Sequence, residues 1–199
     1  MVTSTFDISQ GGRVKPARAS HADPDCLRYR LDVIAVSAPD VVRSAGGWLY
    51  DRAMAGWQVT VLLPDGSDAR SLRILGVQAR DLEEYFAAAA ADPGSTSESL
   101  AVSAEAFTAD ARVRDRVLRS LDDRLTEVAL WGQVPSGWPL RVDRGVARAQ
   151  YALSAAARRF KGHALAAAGI DCATVYSTET LLCDLATCGR DDSGLVRLD

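Results

Sequence analysis

Histidine and lysine are nearly missing from this chain of 199 residues, which has two of each. The histidines, His21 and His163, have no recognisable serine or cysteine motif beside them, and no Gly-x-Ser-x-Gly elbow occurs. Nucleophilic catalysis of the Ser–His kind is therefore poorly supported. No Gly-x-Gly-x-x-Gly follows the first predicted strand and no Walker sequence is present, so NAD and ATP are disfavoured and no cofactor is expected. No window approaches the roughly 20 apolar residues of a membrane span, and no charged leader precedes an apolar core. The expectation is a soluble, cytoplasmic protein without a membrane partner. The four cysteines, Cys26, Cys172, Cys183 and Cys188, are scattered. Cys183 and Cys188 would stand about 140° apart around a helix, so free thiols are expected rather than a metal site or a disulfide.

Lysine is confined to Lys15 and Lys161, and the net charge is −3 with a pI near 5.4. Bulk attraction to nucleic acid is thus not expected. Arginine and alanine are abundant together, a compositional bias that removes any functional meaning from arginine number alone. The length suits one α/β domain with a proper core.

What is present is organised around Tyr29 to Pro64. The runs Tyr29–Ser37 and Trp57–Leu63 turn continuously apolar, as strands covered on both faces do. Between them Asp40 to Ala55 has helix length, with Ser37 or Asp40 as a cap and Pro39 at its entry. Gly46-Gly47 in mid-helix costs on the order of 1 kcal/mol each relative to Ala, a cost that close packing on the sheet explains better than a ligand does. Further strands are expected at 72–77, 99–103 and 126–131, and helices at 81–91, 108–125 and 142–168. The tail suggests a strand at 173–176 and a short helix at 179–187. Residues 1–25 read as a mobile arm, 26–189 as one domain and 190–199 as a fraying tail. The expected fold is a three-layer, Rossmann-like α/β sandwich with a mostly parallel five-stranded sheet.

In such sheets ligands bind outside the carboxyl ends of the strands. Candidate ligand-binding residues there are Ser37 and Asp40 after the first strand, and Asp65, Ser67 and Asp68 after the second. Glu105 and Thr108 follow the fourth, and Trp131, Gln133, Ser136 and Trp138 surround the end of the fifth. Carboxylates with two indoles suit a polar ligand bearing a flat group, or a hard cation. Each also has a structural occupation available, as cap, turn residue or packing. Arginines 141, 144 and 148 with Arg158, Arg159 and Lys161 make a cationic strip along the expected long helix. That strip suits a solvated or partner-facing surface better than phosphate binding, and the alanines 155–157 suggest a homodimer.

The segments Val33-Ile-Ala-Val-Ser-Ala-Pro-Asp40, Ala45-Gly-Gly47, Ala55-Gly56, Val59-Thr-Val61 and Asp65-Gly66 resemble the opening of the PIG-L class of zinc-dependent N-acetylglucosaminyl deacetylases. The likeness covers about a fifth of the chain. In that family an Ala-His-Pro-Asp-Asp segment supplies a His and a second Asp to the metal. Here Ala38 stands in place of the His and Val41 in place of the second Asp, leaving Pro39-Asp40, and the glycine pair sits one residue early. Zinc chemistry is therefore expected to be absent and no metal site is assigned. With the common catalytic signatures missing, the expected function is a non-catalytic binding or regulatory module for a small ligand or protein. The alternative is an enzyme on a small polar or phosphorylated metabolite at the carboxyl rim, with Asp40, Asp65 or Glu105 as acid, base or magnesium ligand. A nucleic-acid-associated protein is the third reading.

Overall fold

The computed structural model describes residues 29–65, 67–91, 99–123, 125–171, 174–185 and 194–198. It is an α/β fold with a single mixed sheet of eight strands in the order β3-β2-β1-β4-β5-β7-β6-β8. The first five strands in that order are parallel: β3 (Gln78–Asp81), β2 (Gln58–Leu63), β1 (Arg30–Ile34), β4 (Ser99–Ser103) and β5 (Glu127–Trp131). An antiparallel extension follows, of β7 (Thr178–Asp184), β6 (Val146–Ala152) and β8 (Leu195–Arg197). Strands β1, β4 and β5 are buried along nearly their whole length; Asp32, in the middle of β1, accepts from the Tyr85 hydroxyl at 2.8 Å and from Arg116 Nη2 at 3.2 Å.

Two cores lie on the two faces of the sheet. One gathers α1 (Ala38–Met54), α2 (Arg70–Ile74) and α7 (Ala155–Ala167) over Leu31, Val33, Val59, Val61 and Leu181. The other gathers α3 (Leu82–Ala91), α4 (Ala104–Ala109), α5 (Ala111–Asp123) and α6 (Leu140–Asp143) over Ile34, Leu62, Leu100, Val102 and Leu130. Alternate residues of one strand thus feed opposite layers.

Six expectations are corrected, the first being the five-stranded sheet, which has eight strands because the antiparallel β7, β6 and β8 extend it. Leu72–Val77 is not the third strand; Arg70–Ile74 is a helix that buries Leu72, and β3 begins at Gln78. The long helix over 142–168 does not exist: Val146–Ala152 pairs with β7 and β8, and only Ala155–Ala167 is helical. Two neighbouring ladders override the strong intrinsic helical preference of an alanine-rich run, as tertiary pairing regularly does. Arg148 therefore sits on a strand, and the continuous cationic strip is broken. In the tail, Thr178–Asp184 is strand rather than helix, and Leu195–Val196 and Arg197 form an edge strand instead of fraying. Cys183 is disulfide-bonded, against the free-thiol expectation. The arm 1–25, Cys26, Cys172 and Cys188 lie outside the described residues.

The glycine pair in α1 has a specific cause. The N–H groups of Gly47 and Trp48 both donate to the carboxylate of Glu179 at 2.8 Å. Lys161 Nζ donates to Glu179 Oε1 at 2.5 Å and to the Arg43 carbonyl at 2.7 Å, the acceptor that Gly47 uses in an uninterrupted α-helix. Glu179 is 4% exposed, and burial pushes its carboxyl above the usual range while Lys161 and the two N–H groups pull the other way. A Cβ on Gly47 would lie 2.5 Å from Leu153 Cδ2, so helix, sheet and α7 meet where no side chain fits.

Candidate functional site

The strand order reverses between β1 and β4, and the loops that leave their carboxyl ends diverge there. That divergence opens a crevice in sheets of this kind. Of the rim residues chosen from the sequence, seven are divided among three cavities, and Asp40, Glu105, Thr108 and Ser136 line none of the three.

The first, of about 260 Å³, lies outside β1, β2 and the α4–α5 junction. Its apolar wall is Ala35, Val36, Leu82 and Val113, and its polar groups include Asp65, Glu83 and Asp110. Glu83 Oε1 and Asp110 Oδ2 accept from Arg112 Nη2 at 2.5 and 2.6 Å, and this guanidinium holds both carboxyls below their ordinary values. They are anions at any pH near neutrality. Arg112 also stacks over Phe86, 4.6 Å from the ring centre, which fixes the fork.

The second cavity, of about 520 Å³, lies on the opposite side of the loop leaving β1, among the ends of α1, α2 and α7; Ser37, Ser67, Asp68 and Arg70 line it. Ser37 caps α1, its Oγ accepting from Asp40 N at 3.4 Å, and Ser67 Oγ donates to the Pro64 carbonyl at 2.7 Å. Asp68 takes a fork from Arg70, which holds its carboxyl down to about 2. The third cavity, of about 530 Å³, is bounded by Trp131, Gln133, Trp138, Asp143, Arg148 and Thr180.

Asp40 and Trp131 do come together. Trp131 Nε1 donates to Asp40 Oδ2 at 2.8 Å and Ser44 Oγ to Asp40 Oδ1 at 3.2 Å, and the indole is 2% exposed. This carboxylate ties the start of α1 to the end of β5. Trp138 packs edge-on against Phe107, centroids 5.1 Å apart. Glu105 is exposed in the first turn of α4, and Thr108 Oγ1 donates to the Ala104 carbonyl at 2.7 Å instead of capping a helix. Asp40, Asp65, Glu105 and Trp131 therefore do not converge on one concavity. Sequence reasoning missed Glu83, Asp110 and Arg112; the only available signal was their position at helix starts, where acidic residues are ordinary.

No family model matches the chain, and no curated protein does. Among solved structures the chain is similar to the A40926 pseudoaglycone deacetylase Dbv21, at 16% identity over 82% of this chain and 100% of that one, with a TM-score of 0.52. It is also similar to a deacetylase bound to teicoplanin, from the teicoplanin biosynthesis pathway, at 14% identity over 85% and 99% of the two chains, with a TM-score of 0.53. A zinc-inhibited form of teicoplanin deacetylase Orf2 matches with the same identity and coverage and a TM-score of 0.51. At these identities the likeness is one of fold, and it is consistent with the deacetylase resemblance read near the N-terminus. It corrects the expectation of a non-catalytic module: the fold is shared with enzymes, and the enzyme alternative lies closer.

The zinc of the resembling family does not fit the residues here. Ala38 and Val41, at the two ligand positions, are 1% and 0% exposed and offer only carbon. The one carboxylate left, Asp40, is engaged by Trp131 and Ser44. Among the described residues no three His, Cys, Asp or Glu gather closely enough to hold a metal ion.

Proposed function

We propose that the chain is an enzyme that hydrolyses an acyl group from a small polar substrate, in the crevice outside the Rossmann-like parallel half of the sheet. The chemistry is carried by carboxylates without a metal. What carries this reading is the meeting of Asp65, Glu83 and Asp110, from three separate connections, on one small crevice with an apolar wall. Solved deacetylases of the same fold support the reaction class.

Each group has a distinct part. Glu83 and Asp110, neutralised in part by Arg112, hold a fixed charge pattern that selects hydroxyl and amide N–H donors of a substrate. Asp65, at the carboxyl end of β2, takes a proton from the attacking water and returns it to the leaving amine or alcohol; such acid–base help contributes about 10²–10⁴-fold. Three carboxylates against one guanidinium disfavour a phosphorylated substrate, which narrows the class to neutral or cationic polar molecules. The test is release of free amine from N-acetylated amino sugars and N-acyl amino acids, with Asp65→Asn beside the wild type. Turnover that falls at least about 100-fold in Asp65→Asn, with an unchanged unfolding midpoint, supports the reading. No release above buffer by the wild type, or equal rates for the two proteins, overturns it.

A further inference from the structure

Helix α3 carries Glu83 to the acidic crevice, yet little apolar packing holds the helix there. Of its ten residues only Leu82 is buried, with Tyr85 and Phe86 half-buried. The pair between Arg112 and Glu83 does not fix the helix either, because their side chains are 46% and 69% exposed and an ion pair so open to water stabilises little. A second tier of contacts lies one helical turn further along α5. Arg116 follows Arg112 by four residues and shares its face, and Tyr85 follows Glu83 on α3. Tyr85 Oη donates to Asp32 Oδ2 at 2.8 Å, and Arg116 Nη2 donates to the same oxygen at 3.2 Å. The Arg116 guanidinium also lies over the Tyr85 ring, 5.2 Å from its centre.

Burial decides which tier places the helix. The side chains of Arg116 and Asp32 are 17% and 7% exposed, and hydrogen bonds to a charge shut away from water are stronger, and costlier to lose, than those of an exposed pair. Asp32 stands in the middle of β1, which is paired on its two sides with β2 and β4. The same strand runs on to Ala35 and Val36, which wall the crevice. We propose that Asp32, Tyr85 and Arg116 are positioning residues that set Glu83 against Arg112 and so fix the charge pattern the crevice offers its substrate. Tyr85 ties α3 to one oxygen of Asp32 and Arg116 ties α5 to the same oxygen, so both helices are referenced to a single point of the sheet. Asp65 is carried by the end of β2 instead. The role rests on the hydrolytic reading of the crevice, while the placement of Glu83 is measurable without turnover.

Titration of the Glu83 and Asp110 carboxyls by carbon NMR in the full chain tests the placement. In the wild type Arg112 holds both below the usual range. Tyr85→Phe keeps the ring and loses only the hydroxyl; in it Glu83 should titrate about half a pH unit or more higher, while Asp110, two residues before Arg112 in the chain, stays low. Arg116→Gln, which removes the other donor to Asp32, should move Glu83 in the same direction. Kinetics of amine release test the role. Tyr85→Phe should raise KM about fivefold with kcat within about twofold, and that rise should vanish in a Glu83→Gln background. A Glu83 midpoint unmoved by both variants, a fall in kcat alone, or an equal rise in KM with and without Glu83 overturns the proposal. A moved midpoint in a chain that releases no amine supports the placement and contradicts the hydrolytic reading.

Discussion

Glu179 shows how one residue can set the geometry of a helix. Its carboxylate takes two backbone donors from the middle of α1 and the ammonium of Lys161, all away from water. Removing one partner of a buried ion pair leaves the other charge uncompensated, so Glu179→Ala should cost about 3–5 kcal/mol in urea unfolding. Gly47→Ala sets two effects against each other. The helix gains about 1 kcal/mol from alanine, while a Cβ 2.5 Å from Leu153 forces overpacking of about 1–3 kcal/mol or more, so a net loss is expected. Tyr151 gives a pH signature. Burial first, then the Asp51 carboxylate that its hydroxyl contacts at 3.3 Å, pushes its phenol from 10 up to about 12. The folded state favours the neutral phenol, so the stability it contributes is complete below pH 10 and is lost as pH rises from 10 to about 12. Between those limits Tyr151→Phe should flatten the fall of the unfolding midpoint; an unchanged slope would contradict the assignment.

At the level of elements, what was legible in the sequence was what local chemistry alone decides. The crossover β1–α1–β2 was visible because the two strands are mostly apolar, as strands covered on both faces are, and Ser37-Ala-Pro39 opens a helix in a standard way. The stretch 142–168 was not, because alanine carries little information about pairing and the partners of β6 lie far on in the chain, at Thr178–Asp184 and Leu195–Arg197. Ser154 marks the true boundary. Its Oγ accepts from Ala157 N at 2.9 Å as the cap of α7 and donates to Asp51 at 2.6 Å, fastening α7 to α1. Ser154→Ala should cost about 1–2 kcal/mol in chemical denaturation. The site was legible in part for a related reason. Asp65 is placed by the end of β2, which the sequence locates, whereas Glu83 and Asp110 depend on how α3 and the α4–α5 junction pack. Asp40 stands in the first turn of α1, where the sequence puts it, but nothing in the sequence indicates that Trp131, 91 positions on, occupies its carboxylate.

The whole molecule is divided in topology. Its parallel half carries the crevice at the divergence of β1 and β4, and its antiparallel half holds α1 and α7 in place through Glu179. No described helix is long and apolar enough to cross a membrane. The homodimer expected from an extended small-residue helix loses that premise, since α7 is 13 residues long and buries Ala157, Lys161, Ala164 and Leu165 within its own chain. The proposed hydrolysis works without zinc, since Ala38 and Val41 stand where the resembling family has its metal ligands. Hydrolysis of an N-acetylated amino sugar, followed in excess chelator and then with zinc restored, tests that claim most directly. Rates unchanged by the chelator and by added zinc, and lost in Asp65→Asn, are predicted; a rate abolished by the chelator and recovered in proportion to bound zinc would contradict it.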